Sequence, residues 1–305
     1  MFRVRRLLAP FVLCIALLFS EAQAFTIAWL SDTQNYHNAY KPIFDGMTQW
    51  ISDNRAALDI RFVFHTGDVV GRWSSEDQWR QARESMGILS NASIPFLTVC
   101  GNHDIGYRMN YANFLKYVLS LRPASMSQEY GDTGSRYELF SANGRDYIFM
   151  GIAFSNKGPS EDEVNWINGV LRQYSSRDAI IITHSYLKKS ASYTTQGKAI
   201  FEKIVKANPN VFLVLCGHCR DISYKNVQLD DDGDGNPDRT VYAILSNFQG
   251  GKAGGGGYMR ILDFRDSDIY IYTYSPYYDS CEYPKYPKGK TEATVPLPRL
   301  RYMAK

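Results

Sequence analysis

Charge of one sign, a membrane-spanning segment and cysteine are all in short supply in this chain. Its 305 residues carry 34 basic and 31 acidic side chains. The first 24 residues hold three Arg and one Glu, so the remainder carries 31 basic against 30 acidic residues. A near-neutral chain with no basic stripe and no charged tail gives no indication of nucleic-acid binding. The apolar run from Leu7 to Phe19 is too short to cross a bilayer comfortably. Arg3, Arg5 and Arg6 precede it and Ala22-Gln23-Ala24 follows, so residues 1–24 read as an export signal. The adjacent pair Arg5-Arg6 also allows a twin-arginine route. The expected location is therefore periplasmic or secreted, with no transmembrane segment once the signal is removed. Of five cysteines, Cys14 leaves with the signal, while Cys100, Cys216, Cys219 and Cys281 stay. They could form disulfides in an oxidising compartment, but the sequence does not fix their pairing.

Repeats and domain linkers are absent too, and one catalytic domain over residues 25–276, with an extension over 277–305, is the expected organisation. Five short apolar runs rich in β-branched and aromatic residues read as buried strands: 25–30, 60–65, 94–99, 179–183 and 211–216. Helices are expected between them, at about 41–56, 75–90, 110–120, 161–174 and 196–207. Two open with capping boxes, Ser75-x-x-Gln78 and Ser160-x-x-Glu163. In the second, Val164, Ile167, Leu171 and Tyr174 share one face, as core packing requires. Later stretches such as "DYIFMGIAF", "TVYAILS" and "IYIYTYS" follow one another with turns and suggest antiparallel strands. The pattern is that of an α/β sandwich.

Nearly every buried strand ends in a metal-capable side chain. "WLSDTQ" supplies Asp32 and Gln34, "HTGD" supplies Asp68, and "CGNHD" supplies Asn102, His103 and Asp104. "IITHSY" adds His184 and "CGHC" adds His218. Open α/β sheets place their functional crevice at the carboxyl ends of strands. Mixed oxygen and nitrogen donors there suit Mn, Fe or Zn.

The order D-x-Q, G-D, G-N-H-D, T-H and G-H resembles the calcineurin-like metallophosphoesterases. It is especially similar to an exported bacterial branch with S-D-T-Q first and T-Y-S-P late, here Ser31–Gln34 and Thr273–Pro276. The resemblance implies a four-layer αββα sandwich of two mixed β-sheets and a centre of one or two divalent metals per chain. By position Asp68 would bridge the metals and Asp32 would bind the first. Asn102, His184 and His218 would bind the second. His103 would act as general acid, oriented by Asp104. The implied substrate is a small phosphate mono- or diester. Such esters resist attack because the nucleophile meets an anion, and paired divalent ions neutralise that charge.

Two positions depart from the family pattern. Gln34 stands where most members carry His, and Arg220 stands where a second His would complete the first metal site. An amide oxygen is a weak ligand and a guanidinium is none. Position 71, Tyr in the purple acid phosphatases, is Gly, which argues against that branch. In an extended segment Arg220 would share a face with His218, where it would bind substrate phosphate; a structural salt bridge facing away from the site is the equal alternative. The alternative reading is a metal-binding or ligand-binding protein that keeps the fold and has lost turnover.

Three other signals weigh less. Cys216-Gly217-His218-Cys219 matches the disulfide isomerase motif, but no helical pattern follows to lower the thiol pKa. Residues 230–238 place Asp230, Asp232, Asp234 and Gly235 at positions 1, 3, 5 and 6 of a calcium loop. Position 12 would be Val241 rather than Glu, which leaves calcium at Asp230–Asp238 a minor candidate. In "GGKAGGGG" Ala253 follows Lys252, so the stretch is no Walker loop and is expected to border the site.

Overall fold

The computed structural model describes residues 24–106, 109–121 and 128–298. The expected signal therefore lies outside the described residues, apart from Ala24. In chain order, the first elements are β1 (Phe25–Leu30), α1 (Lys41–Asp53), β2 (Ile60–His65), α2 (Glu76–Asn91), β3 (Phe96–Thr98) and α3 (Ala112–Tyr117). Next come β4 (Gln128–Tyr130), β5 (Ser135–Ala142), β6 (Arg145–Ile152), α4 (Glu161–Gln173), β7 (Asp178–Thr183), α5 (Thr195–Ile200) and β8 (Val211–Cys216). The last are β9 (Ile222–Leu229), β10 (Arg239–Ser246), β11 (Met259–Phe264), β12 (Asp268–Tyr274) and β13 (Ala293–Pro296).

These strands form two mixed sheets, ordered β13-β12-β11-β1-β2-β3 and β4-β5-β6-β7-β8-β10-β9. Within the first, β1, β2 and β3 run parallel, and β11 pairs with β1 antiparallel. Within the second, β6, β7, β8 and β10 run parallel. The period of two along each strand explains the layering. Ile27, Trp29, Phe62 and Phe64 from one sheet meet Ile180, Ile182, Leu213 and Leu215 from the other in a shared core. The alternate residues Ala28, Leu30 and Val63 face α1, α2 and α3. Likewise Ile181 and Val214 face α4 and α5. Both faces of the central strands are covered, so their sequences are apolar without interruption. The result is the four-layer αββα sandwich. No helix among the described residues is long and apolar enough to cross a membrane.

Helix boundaries differ from the sequence expectation where local chemistry intervenes. The helix expected over 110–120 is α3 followed by a tighter turn at Leu119–Leu121. That expected over 196–207 is α5 continued by one wider turn, Phe201–Val205. Ser75 and Ser160 do cap α2 and α4, accepting from the backbone N–H of Gln78 and Glu163. The Glu163 carboxylate, however, accepts from Ser135 and ties α4 to β5. Tyr174 lies just past α4 and still packs on its core.

Candidate metal centre

Five loops at strand carboxyl ends converge: those after β1, β2 and β3 of one sheet, and after β7 and β8 of the other. Asp68 Oδ2 lies 3.4 Å from His184 Nε2. The same nitrogen is 3.1 Å from Asn102 Oδ1 and 3.2 Å from His218 Nδ1. Ligands on one transition metal sit about 3.0–3.4 Å apart when each bond is about 2.1 Å. Asp68, His184 and His218 thus form a candidate metal site, their ligand atoms within 4.8 Å of one another, and Asn102 lies beside it.

The tautomer of His184 is fixed by geometry. Its Nδ1 is 2.8 Å from the carbonyl oxygen of Thr66, which can only accept. Nδ1 therefore carries the hydrogen, and the lone pair of neutral His184 sits on Nε2, among acceptors of Asp68, Asn102 and His218. Acceptors aimed at one volume need a cation or a proton between them. Burial disfavours protonated His184, yet Asp68 and Asp32 raise it to about 9. Burial and the His184 charge push His218 down to about 4, leaving a neutral imidazole. Burial raises Asp32 to about 7, against the pull of His184 and with the repulsion of Asp68.

The first-metal side is thinner. The His218 backbone N–H donates to both oxygens of Asp32, at 3.1 and 3.2 Å, and Ser31 Oγ donates to one of them. Gln34 Nε2 donates to Asp68 Oδ2 at 3.1 Å. Its Oε1 is buried with no hydrogen-bond partner among the described residues, an orphan acceptor that a cation would satisfy. The donor set thus fits transition metals, with Asp68, Asn102, His184 and His218 as candidate ligands on one side and Asp32, Gln34 and Asp68 on the other.

Backbone strain concentrates here. Asp32, Asp68 and His218 all adopt left-handed conformations, with φ of 51°, 55° and 70°. Each costs about 1 kcal/mol or more, a cost that marks sites where geometry is imposed. Two glycines permit the close approach. A Cβ on Gly101 would sit 2.2 Å from Asp68 Oδ1, and one on Gly217 would sit 2.3 Å from Asp32 Oδ2.

Several side chains that hold the centre are not marked as candidates by the sequence. Thr66 receives His184 at its carbonyl and joins Ser31 through its hydroxyl at 2.8 Å. Asn247 Nδ2 holds the carbonyl of His218 at 3.0 Å. Phe154 packs against both imidazoles, with ring centroids 5.7 and 5.9 Å away. Position after a strand flags ligands, but no sequence pattern identifies residues that brace them from other loops.

The family description "Calcineurin-like phosphoesterase" matches residues 25–219, a span that holds every expected ligand from Asp32 to His218. The chain belongs to the calcineurin-like phosphoesterase family. A curated relative, the uncharacterized protein YvnB of Bacillus subtilis, is 41% identical over 83% of this chain. The chain spans only 20% of that relative's length. Among solved structures, the fold is similar to a dimetal phosphatase from Danio rerio (TM-score 0.61, 14% identity, covering 89% of this chain and 98% of that one). It is also similar to GAP50, the anchor in the inner membrane complex of Plasmodium (TM-score 0.58, 13% identity, 91% and 90% covered). A third is the purple acid phosphatase PPD1 of yellow lupin (TM-score 0.57, 13% identity, 90% and 55% covered). At these identities the likeness concerns the fold alone.

The contacts of Asp104 and Arg220 differ from the sequence expectation. Asp104 does not orient His103. Its carboxylate is buried and accepts from the backbone N–H groups of Val69, Val70 and Gly101, at 2.8, 3.0 and 2.8 Å. It braces the loops that carry Asp68 and Asn102. His103 is oriented instead by its Nδ1 against the Gly71 carbonyl, at 3.0 Å. Arg220 does not follow His218 along an extended segment, because the left-handed backbone at His218 begins a tight turn. Arg220 is exposed, lies against Gly250 and has no ion pair among the described residues. The neighbouring Asp221 is bound to Tyr286, Lys189 and Lys290 instead.

The remaining motifs sit apart from this chemistry. Cys216 and Cys219 are not disulfide-bonded, and burial raises the Cys216 thiol to about 12, which silences it as a nucleophile. Asp230, Asp232 and Asp238 converge on one turn, while Val241 is buried in β10 and offers no ligand. That turn precedes β10, at the end of the sheet opposite the centre.

The buried carboxylates set how metal-free protein responds to pH. Asp32 and Asp104 keep their protons to about 7 when folded, against about 4 when unfolded. Over that range the folded state binds more protons, so stability falls as pH rises. His184 acts in the same sense: its stabilising charge is complete below its ordinary 6.5 and is lost as pH passes its folded value of about 9. Asp68, held below the usual carboxylate range, and His65 and His218, pushed down to about 3 and about 4, oppose this only below about pH 6.5. Chelator-treated protein is expected to melt at a lower temperature near pH 8.5 than near pH 5.5, and added Mn²⁺ to close the gap. Melting curves in which metal-free protein is more stable at the higher pH would contradict this reading.

Proposed function

We propose that this chain is an exported, metal-dependent phosphoesterase that hydrolyses a small phosphate mono- or diester. The observation that carries the reading is that Asp68, Asn102 and His218 each place a donor atom 3.1–3.4 Å from His184 Nε2. Divalent metals held there would neutralise phosphate charge and bring the pKa of water to near 7. Asp32, fixed by the His218 N–H, and Gln34, with its orphan oxygen, would hold the first ion. His103 is exposed at the rim, and with Nδ1 engaged by Gly71 its Nε2 can hold the proton delivered to the leaving oxygen. Asp104 positions this loop. Arg220, with no carboxylate partner among the described residues, would take two phosphate oxygens with its guanidinium fork and supply charge beside the thin first site. Export is supported by the Arg-led apolar run before residue 25.

A second reading, a binding protein that has lost turnover, is favoured by one contact. Gln34 donates its amide N–H to Asp68 instead of turning the group's oxygen towards it. Hydrolysis of 4-nitrophenyl phosphate by Mn²⁺-loaded protein separates the two. The first reading expects turnover, and expects Arg220→Ala to lower kcat/KM about a hundredfold. Loaded protein that binds inorganic phosphate but turns over no aryl ester supports the second. An unchanged kcat/KM in Arg220→Ala returns Arg220 to the role of a surface cation.

A further inference from the structure

We propose that the cavity next to Arg220 is a sugar-ring subsite, so that the preferred ester is a sugar phosphate; this rests on the phosphoesterase reading above. The glycine-rich stretch, which the metal centre does not use, builds the cavity. Five consecutive residues from Ala253 to Gly257 have φ of 51°, 72°, 119°, 60° and 68°. This left-handed run is open mainly to glycine and lets the backbone approach aromatic rings closely. A Cβ on Gly255 would lie 2.8 Å from the Tyr36 hydroxyl, and one on Gly256 would lie 2.3 Å from the Tyr278 ring.

The cavity beside the loop has a volume of about 680 Å³ and is lined by Lys252, Tyr258, Tyr278, Glu282, Tyr283 and Lys285, with Gly250 at its edge. That is the size of a small-ligand pocket. Gly250 also contacts Arg220, whose Cδ lies 3.7 Å from where a Cβ would stand. One residue earlier, the Gln249 carbonyl accepts from Asn35 Nδ2 at 3.3 Å, immediately after Gln34. The loop therefore joins the first-metal side of the centre to the cavity.

The lining selects the ligand. Tyr258 and Tyr283 pack edge to face at 75° and engage one another, and the Tyr258 hydroxyl is taken by the Glu282 carbonyl. Tyr278 is 45% exposed, and its hydroxyl has no partner among the described residues. Its aromatic neighbours Tyr258 and Tyr277 are inclined to it by 38° and 70°, so no parallel ring is in place to sandwich a flat base. Tyr278, half-exposed, shares the lining with Lys252 and Glu282, both exposed and neither in an ion pair among the described residues, and an aromatic surface with a donor and an acceptor in the same cavity fits the C–H face and hydroxyls of a pyranose. Ring hydroxyls can use both a donor and an acceptor at the rim.

With Mn²⁺-loaded protein, kcat/KM for glucose 1-phosphate is expected to exceed that for glycerol 3-phosphate by about tenfold or more, the scale of one aromatic contact. Tyr278→Ala should erase that preference through KM, and Tyr278→Phe should keep it. A readout without turnover is saturation transfer by NMR from metal-free protein to glucose 1-phosphate, expected in wild type and lost in Tyr278→Ala. Wild type that hydrolyses 4-nitrophenyl phosphate but shows neither sugar preference nor saturation transfer overturns the subsite and leaves the phosphoesterase reading standing. Saturation transfer without hydrolysis of any ester keeps the subsite and ends the hydrolase reading. A preference for adenosine 5′-phosphate that Tyr278→Ala removes assigns the cavity to a base and overturns the sugar.

Discussion

His218→Ala is expected to lose most of its bound transition metal and about 10³-fold in kcat/KM, a barrier increase of about 4 kcal/mol. His218 is neutral in the folded protein because burial and the His184 charge push it to about 4, so its Nδ1 is a ready ligand. That nitrogen is 3.2 Å from His184 Nε2. Alanine also suits the φ of 70° poorly, so a loss of fold could imitate a loss of metal. His218→Asn separates the two, because Asn tolerates the left-handed region. It should keep the wild-type melting temperature of metal-free protein and still lose most of the metal. Elemental analysis of purified protein reads the outcome, and equal metal content in wild type and both variants would remove His218 from the ligand set.

Gly101→Ala should cost about 3 kcal/mol of stability, at the upper end for overpacking a buried site. The added Cβ would stand 2.2 Å from Asp68 Oδ1 and 2.4 Å from its backbone nitrogen. Backbone cannot swing aside as a flexible side chain can. Either the loop after β3 shifts and carries Asn102 away, or Asp68 leaves the position 3.4 Å from His184. Melting temperature should fall by about 5–10 °C, and metal affinity with it. A Gly101→Ala protein with wild-type melting and metal content would mean that the two loops are looser than these contacts indicate.

Much of this was legible in the sequence because burial writes a plain signal. The central strands are covered on both faces, so "FTIAWL" and "VFLVLC" announce themselves, and the ligands fall immediately after them. Position thus marked Asp68, Asn102, His184 and His218 as metal-capable, and the family resemblance named them as candidate ligands. What position could not supply was the direction of side chains in tight turns. Arg220 looked like a neighbour of His218 on one face, but a single left-handed residue redirected the chain. The family resemblance made Asp104 the partner of His103, yet three backbone N–H groups from two loops claim its carboxylate. The glycine run showed only a breaker in sequence. Its fit between Tyr36 and Tyr278 depends on residues 36 and 278, which no local pattern connects to it.

The central claim is that one volume bounded by Asp68, Asn102, His184 and His218 holds a metal. The most direct measurement is an anomalous difference map from crystals of the wild-type protein grown with Mn²⁺. A peak about 2.1 Å from the ligand atoms of those four residues is predicted, with any second, weaker peak on the Asp32 and Gln34 side of Asp68. A map with no peak between these four residues, from protein that still hydrolyses 4-nitrophenyl phosphate, would contradict the account.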